Sequence, residues 1–344
     1  MARLLPEDLN GNLRACQPDQ SLDTKAAGKE YVLIRDGATG EAKFEAHFPG
    51  LRRVNIQKMK KLWSQGINIK YGKRLTSISD GPDGPIAHFE DDTIESGSMI
   101  IGADGGASQV RRRLLSEEQA AQEVLSYAFM NFSVTYTREQ AIYLDSVMNP
   151  NVDAATHPKN MYLGLFLLDK PDLERPETWV FYILVTWPIA SKEDEENSPN
   201  RLERLRAHMD GWAEPYKSAV AWLPDDIVIK ADQLRIWHPK PWDNRHGSVT
   251  LAGDAAHSMT FDRGQGGNLA IKDADELVNA MVSVQKGERS LKDAIDAYDK
   301  GALARGEEVE TSKQQTDAFH DYENFMNSPV VKLGVKPAAA SAQE

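Results

Sequence analysis

Short stretches of alternating apolar and polar residues dominate the first third of the chain. Residues 31–35 and 42–48 flank a turn that contains Gly37 and Gly40, a pattern typical of a β-hairpin. Residues 54–63 carry apolar side chains two and three positions apart among basic ones, which predicts an amphipathic helix. The same strand pattern recurs, between Gly, Pro and Asp turns, at residues 67–71, 75–79, 85–89 and 98–103.

The middle and the end of the chain differ in periodicity. Segments 129–136, 161–168 and 179–187 alternate apolar and polar positions, which predicts an antiparallel sheet with one covered face. Residues 266–284 place their apolar side chains mainly on one helical face, and residues 291–325 supply one or two further helices. Helices therefore follow the sheet in the chain.

Composition and charge exclude several classes of protein. The chain has 344 residues, 41% of them hydrophobic and 27% charged, which is ordinary for a folded protein. Its net charge of −12 argues against nucleic acid as a partner. No apolar run approaches the roughly 20 residues that a membrane span needs, and the first residues lack the apolar core of a signal peptide. Cys16 is the single cysteine, so a cytoplasmic location is expected.

The strongest candidate for chemistry lies in residues 249–273. An apolar strand is followed by Asp254, by a turn of small residues, by the glycine-rich loop 263–267 and by the start of a helix. This order puts an acid and backbone N–H groups at the carboxyl end of a strand, where α/β folds bind ligands. The helix start favours an anionic or electron-accepting ligand. The alternative interpretation is a plain strand-to-helix turn with structural glycines.

A second strand-turn-helix pattern spans residues 100–113. A buried strand ends in Gly102, Asp104 and Gly105, and a basic helix start follows. Taken alone, the pattern is typical of a helix capped by Ser108 with solvated arginines.

The first pattern closely resembles the second flavin motif of the group A FAD-dependent aromatic hydroxylases. This family includes the para-hydroxybenzoate and salicylate hydroxylases, and the fungal secondary-metabolism branch is the most similar. The resemblance implies that Asp254 hydrogen-bonds the ribityl chain of FAD. It also implies that Gly266, Gly267 and Asn268 lie beside the isoalloxazine ring, with Gly267 nearest.

The second pattern resembles the DGxxSxVR motif of the same family. The resemblance implies that Asp104 and Arg111 serve the FAD pyrophosphate and the approach of NADPH or NADH. The expected activity is that of a monooxygenase, which uses NAD(P)H and O2 to hydroxylate or epoxidise a small organic substrate, here a secondary metabolite.

The resemblance also implies the architecture. We expect an α/β (α+β) fold: an incomplete Rossmann-like FAD-binding domain, an inserted antiparallel-sheet substrate domain and C-terminal helices. The expected boundaries are 1–125 for the partial FAD-binding domain, 126–235 for the substrate domain, 236–328 for the return of the FAD-binding domain, and 329–344 for a flexible tail.

The front of the chain departs from the family pattern. No GxGxxG turn for the ADP half of FAD occurs, and Ile56 stands where the family has an FAD-contacting arginine. We therefore expect a chain truncated at its amino terminus relative to the family. An alternative is a degenerate member that binds FAD weakly and has no catalysis of its own. A further possibility is that the protein forms a homodimer or that a partner chain supplies the missing unit.

Catalytic side chains cannot be assigned from the sequence, but Tyr162 and Tyr182 are candidates for contacting substrate. Tyr182, with Trp179 and Trp187, either lines a substrate pocket or belongs to the core of the sheet. For His257 we favour a packed motif residue over a general base or metal ligand, because no second ligand stands at metal-binding spacing. No metal site is predicted.

Overall fold

The computed structural model describes residue 9 and residues 11–190 and 200–334. Its strands are β1 (Tyr31–Asp36), β2 (Ala42–His47), β3 (Leu75–Gly81), β4 (Gly84–Phe89), β5 (Ile94–Ser96), β6 (Ile100–Gly102), β7 (Glu123–Val124), β8 (Tyr127–Val134), β9 (Val152–His157), β10 (Met161–Asp169), β11 (Val180–Pro188), β12 (Lys230–Asp232), β13 (Arg235–Ile236) and β14 (Val249–Leu251). Its helices are α1 (Ile56–Trp63), α2 (Gln109–Leu114), α3 (Glu117–Ala120), α4 (Arg138–Val147), α5 (Arg201–His208), α6 (Tyr216–Ala221), α7 (Asp254–His257), α8 (Gly266–Gln285), α9 (Leu291–Ala304), α10 (Gly306–Phe319) and α11 (Pro329–Leu333).

The largest sheet has seven strands in the order β12-β8-β11-β10-β9-β1-β2. All neighbours are antiparallel except β1 and β9, which run parallel. The alternation in the sequence therefore correctly predicts an antiparallel sheet in the middle of the chain. The hairpin β1–β2 is also confirmed, but it belongs to this sheet. Sheet membership thus crosses the boundary expected at residues 125 and 126.

The two faces of this sheet build two separate cores. Phe181, Ile183 and Val185 of β11 pack on one face with residues of α4, α5 and α6. Tyr182 and Leu184, which alternate with them, lie on the other face with residues of α10 and α11. The period of two along a strand sends neighbouring side chains to opposite faces. Both faces of β11 are therefore covered.

A second sheet consists of the parallel pair β6 and β14. Its strands are the two apolar segments that precede the acid-containing turns at Asp104 and Asp254. A parallel pair aligns the carboxyl ends of its strands, so both turns leave the same edge. Helices α2, α7 and α9 contact this part of the fold. The mixed α/β class is confirmed.

Some predicted elements differ in the structure. Residues 67–71 do not form a strand: Ile67 is 62% exposed, Tyr71 is 80% exposed, and no neighbouring strand pairs with the segment in the described chain. Within the expected flexible tail, Pro329–Leu333 form helix α11, because a proline suits the first helical turn and Val330 is buried in the core. Residues 335–344 lie outside the described part.

Among the described residues, no helix combines the length and the apolar character that a bilayer crossing demands.

Candidate active site

Two cavities lie against the glycine-rich loop that precedes α8. The first, which we call the loop cavity, measures about 410 Å³ and is lined by residues that include Asp254, Thr260, Phe261, Gly264, Gly266 and Gly267. The second, the sheet cavity, measures about 360 Å³, and its lining includes Arg53, Tyr162, Phe166, Tyr182, Asp262 and Asn268. Phe261 and Gly264 line both, so the two cavities share a wall. A larger depression of about 520 Å³, lined by residues of α10, of α11 and of the segment between them, contains none of the predicted site residues.

Asp254 lies where β14 gives way to α7. Gly253 before it has a φ of 59°, a left-handed conformation that glycine adopts without a Cβ clash. The carboxylate reaches the start of α8, because a Cβ built on Gly266 would lie 3.7 Å from its Oδ1. Asp254 is exposed towards the loop cavity, yet the surrounding protein raises the pKa of its carboxyl by desolvation. The structure therefore brings Asp254 to the helix start, as the motif predicts.

The start of α8 is open to a ligand. Its N-cap residue, Gln265, makes no side-chain capping bond, so the positive end of the helix dipole is available to an electron-rich group. Gly267 lines the loop cavity, and a Cβ built on it would meet no atom within 4 Å. Asn268 donates through Nδ2 to Gly264 O at 3.4 Å, which folds its amide back over the loop.

His257 is a structural residue in this geometry. It is fully buried, and its Nε2 lies 2.8 Å from Oδ2 of Asp273. The same carboxylate oxygen accepts the Gly253 N–H at 2.6 Å, and Oδ1 pairs with Arg305 Nε at 2.6 Å. This buried network fastens the Asp254 turn to α8. The described residues contain no group of three or more His, Cys, Asp and Glu side chains that would hold a metal ion.

Asp104 caps α2. Its Oδ1 accepts from Ser108 Oγ at 2.5 Å, and its Oδ2 accepts from the backbone N–H groups of Gln109 and Val110 at 2.6 and 3.2 Å. Ser108 Oγ in turn accepts from Arg111 N at 2.9 Å, so the predicted cap by Ser108 is confirmed. The carboxylate of Asp104 is thus engaged in organising the turn.

Arg111 does not reach either cavity. Its side chain is buried, and it donates to Ala120 O at 3.1 Å, to Ala255 O at 3.0 Å and to Gly106 O. The guanidinium also stacks over Trp237, 4.4 Å from the ring centroid. The solvated arginine that the isolated pattern predicts is therefore wrong for Arg111, whereas its predicted role at the FAD pyrophosphate stays a prediction. Backbone carbonyls of the two motif turns and of α3 hold it inside, where it fixes one turn against the other.

The candidate tyrosines lie together in the sheet cavity. Tyr162 of β10 stacks on Phe319 with the ring centroids 4.1 Å apart, and Tyr182 of β11 stacks on Phe166 at 6.5 Å. Trp179 and Trp187 instead belong to the core on the opposite face of the sheet. The aromatic cluster is thus divided: Tyr182 lines the cavity, and the two tryptophans are core residues.

Two polar residues of the sheet cavity are not predicted as site residues from the sequence. Arg53 precedes α1, and its guanidinium lies 4.3 Å from the Phe166 ring centroid. Asp262 accepts from Thr316 Oγ1 at 2.5 Å, and burial raises the pKa of its carboxyl to about 7. Asp262 directly precedes the glycine-rich loop, which is the one signal that points to it. The direction of Arg53 follows from tertiary packing alone.

Comparison with known proteins identifies the relatives of this chain. Residues 58–313 match the family model described as FAD binding domain. The chain is 30% identical to the FAD-dependent monooxygenase phnB of Penicillium herquei, over 98% of this chain and 83% of that protein. The chain belongs to the FAD-dependent monooxygenase family.

Further comparisons agree with this assignment. The FAD-dependent monooxygenase cctM of Talaromyces islandicus is also 30% identical, over 99% of this chain and 85% of that protein. The crystal structure of Klebsiella pneumoniae HpxO with FAD and uric acid shares the fold, with a TM-score of 0.67, 20% identity, and coverage of 91% of this chain and 78% of that one. As a member of this family, the chain is an oxidoreductase that uses FAD.

The residues around the loop cavity fit one half of FAD. The open space beside Gly267 accepts a flat ring that a Cβ would obstruct, and Asp254 offers an acceptor for ribityl hydroxyls. The uncapped start of α8 favours the electron-rich edge of such a ring. In this monooxygenase the two described turns therefore suit the ring and ribityl portions of the cofactor.

Proposed function

We propose that this monooxygenase oxygenates a flat, conjugated small molecule bound in the sheet cavity. The observation that supports this proposal is the wall that the two cavities share, since Phe261 and Gly264 border both. A substrate on the tyrosine side and a cofactor ring on the glycine side would then be separated by little more than one residue. Aromatic walls suit a planar ligand through stacking and edge contacts. Uric acid, the ligand of the Klebsiella structure, is such a molecule.

The residue roles follow from position. Asp254 would hold the ribityl chain, and Gly266, Gly267 and Asn268 would let the flavin ring approach the α8 backbone. Asp104 and Arg111 would act at a distance, by fixing the two turns that carry these groups. When bound, FAD supplies the chemistry that activates O2 with electrons from NADH or NADPH. The chain itself binds and orients the substrate and excludes water.

Tyr162 and Tyr182 would contact the substrate. Neither hydroxyl has a hydrogen bond to another described residue. Burial raises the pKa of both phenols, so both stay protonated at neutral pH. Each hydroxyl is thus a donor that a ligand oxygen in the cavity can use. Phe166 and Phe261 supply apolar contacts on either side.

For the ADP half of FAD we propose contacts from a partner polypeptide. The sequence has no GxGxxG turn. Strand β6 pairs only with β14 in the described chain, and Ile101 on it is 45% exposed. The free edge of a strand presents unpaired N–H and C=O groups that can pair with another chain, so this edge suits an added strand.

An equilibrium titration tests the proposal. FAD and FMN are added separately to the purified chain, and flavin fluorescence is followed. Saturable binding of both flavins with similar affinity is expected for the isolated chain, because only the ring and ribityl half meets the described turns. O2-dependent NAD(P)H oxidation should accompany FAD saturation. The absence of saturable flavin binding to folded protein would overturn the proposed function. If the monomeric chain bound FAD at least about tenfold more tightly than FMN, the proposal that a second polypeptide contacts the ADP half would be wrong.

A further inference from the structure

Helix α11 separates the sheet cavity from the protein surface. Its residue Val330 is buried and lines the sheet cavity. Pro329, Lys332 and Leu333, on its other side, line the depression of about 520 Å³. A single helix of five residues therefore divides a cavity of the interior from a depression of the surface.

A small number of contacts hold α11 in place. Val330 is the one buried residue of the helix, and its N–H donates to Gln315 Oε1 of α10 at 2.6 Å. Just beyond the helix, Gly334 O accepts from Arg263 Nη1 at 3.2 Å. A helix this short is not stable on its own, and a segment with little buried apolar surface opens at a low free energy. We therefore expect α11 to leave its place while the sheet stays folded.

The junction between α10 and α11 contains buried polar atoms without partners. Ser328 Oγ, directly before α11, and Gln315 Nε2 have no hydrogen-bond partner among the described residues. An unpaired buried polar atom costs about 1–3 kcal/mol, and water can satisfy both atoms once α11 moves away. This cost favours the displaced position of α11.

Arg263 connects α11 to the glycine-rich loop. It directly precedes Gly264, which lines both cavities. Its Nε pairs with Oε1 of Glu308 on α10 at 2.6 Å, and both side chains are buried. The same guanidinium donates to Gly334 O. One side chain thus fixes the end of α11 relative to the loop that borders the loop cavity.

The preceding residue, Asp262, provides a second attachment of the same loop. Asp262 lines the sheet cavity, and its carboxyl accepts from Thr316 Oγ1 of α10 at 2.5 Å. Two consecutive residues of the loop are therefore bound to α10. A ligand that orders the glycines of this loop also restrains Arg263, because the chain between them is a single peptide bond long at Gly264.

We propose that α11 is a gate of the sheet cavity and that Arg263 is its latch, a positioning residue through which flavin in the loop cavity keeps the gate closed. The inference rests on the proposed function, because it takes the loop cavity as the flavin site. Linkage makes the effect reciprocal, so a closed gate also favours flavin binding. With α11 displaced, the sheet cavity is continuous with the surface depression, which gives a ligand a route that avoids the loop cavity.

Thiol labelling measures the opening of the gate. Cys16, the single cysteine, is replaced by alanine, and Val330→Cys or Val309→Cys is introduced in that background. Val309 is the matched control, because it is fully buried on α10 in the same core as Val330. In the flavin-free chain, Val330→Cys should react with iodoacetamide at least about tenfold faster than Val309→Cys. Equal rates would show that α11 opens only when the core unfolds, and the gate would be wrong.

FMN tests the latch. At about ten times its dissociation constant, FMN should slow the labelling of Val330→Cys at least about fivefold. The double variant Arg263→Met/Glu308→Met removes the buried pair without leaving an unpaired charge. In this variant the flavin-free rate at Val330→Cys should rise at least about fivefold, and FMN at equal saturation should change it less than about twofold. The Val309→Cys rate reports any loss of global stability.

Two further variants keep the test decisive if the double variant folds poorly. Arg263→Lys keeps a charge and a donor, and it should retain part of the response to FMN. Gln315→Met removes the acceptor of the Val330 N–H without changing the glycine-rich loop. It should speed the labelling of Val330→Cys at least about threefold and leave the response to FMN intact, because Arg263 is unchanged.

The outcomes separate the latch from the function on which it rests. Rapid labelling of Val330→Cys in a folded chain that binds no flavin supports the gate but overturns the proposed function and the coupling to flavin. FMN binding that slows the labelling equally in the parent and in the double variant overturns the latch. FMN binding that leaves the labelling of the parent unchanged also overturns it, while the proposed function stands.

Discussion

His257 and Asp273 meet in the interior of the protein, with 2.8 Å between Nε2 and Oδ2 and neither side chain exposed. The two residues come from different elements, since His257 ends α7 and Asp273 lies in the second turn of α8. Asp273 also accepts the Gly253 N–H. One carboxylate thus fixes the distance between the Asp254 turn and the glycine-rich helix.

Asp273→Asn should therefore lower the free energy of unfolding by about 3–5 kcal/mol, the usual cost of breaking a buried charged pair. Arg305 would lose its Oδ1 partner, and His257 would face an amide. Urea unfolding followed by tryptophan fluorescence measures the loss. Asp226→Asn, at an exposed loop position, is the matched control and should lie within about 0.5 kcal/mol of the parent. Equal stability of the two variants would refute the structural role of the pair.

Gly267→Ala should separate stability from cofactor binding. The added Cβ meets no atom within 4 Å, so the fold tolerates it, and alanine favours the helix by up to about 1 kcal/mol. The flavin affinity should fall at least about tenfold, because the methyl group occupies the space assigned to the ring. Thermal unfolding of the flavin-free chain and a flavin titration give the two readouts. An unchanged affinity would remove Gly267 from the cofactor site.

Arg111→Met should destabilise the protein by about 3 kcal/mol, because several buried carbonyls lose their donor at once. The adjacent Arg112 is exposed, and Arg112→Met serves as the control with an expected change within about 0.5 kcal/mol. Chemical unfolding is the measurement. If Arg111→Met instead leaves stability intact and selectively weakens FAD binding, the arginine contacts the cofactor after all.

Asp262 should make stability depend on pH. Burial raises its pKa to about 7 in the folded chain, against about 3.9 when unfolded, so the folded state favours the protonated form. The stability from this proton is fully present below about pH 4 and is lost as the pH rises through 7. Asp317 on α10 adds to the same shift by repulsion, while Tyr127 and Tyr162 are the neutral titratable neighbours.

The variant Asp262→Asn carries no titrating proton at this position. Its stability relative to the parent should therefore increase between about pH 5 and about pH 8. Urea unfolding at several pH values measures this difference. A difference that stays constant over the range would show that Asp262 titrates normally.

The sequence predicts most of the strands and helices because alternation and helical periodicity are local signals. The strands around Phe181 and the helix after Gly266 follow from such patterns. The motif order also predicts that Asp254 meets the start of α8. What it misses depends on contacts far apart in the chain: the partner of Arg111 at Ala255 is 144 positions away. The entry of Arg53 into the sheet cavity has no local signal either. Residues 67–71 have a strand pattern, but a strand also needs a neighbour.

The parallel pairing of β1 with β9 also affects how the chain folds. Arg35 and Asp153 pair across 118 positions, with 3.1 Å between Nε and Oδ1, and Tyr216 donates to the same carboxylate at 2.6 Å. During synthesis the edge of β1 in the hairpin of residues 31–47 therefore stays unpaired until more than a hundred later residues have been made. Such long-range closure is slow and leaves an uncovered strand edge in the meantime. We expect nascent chains of this protein to depend on chaperones until β9 and β10 emerge from the ribosome.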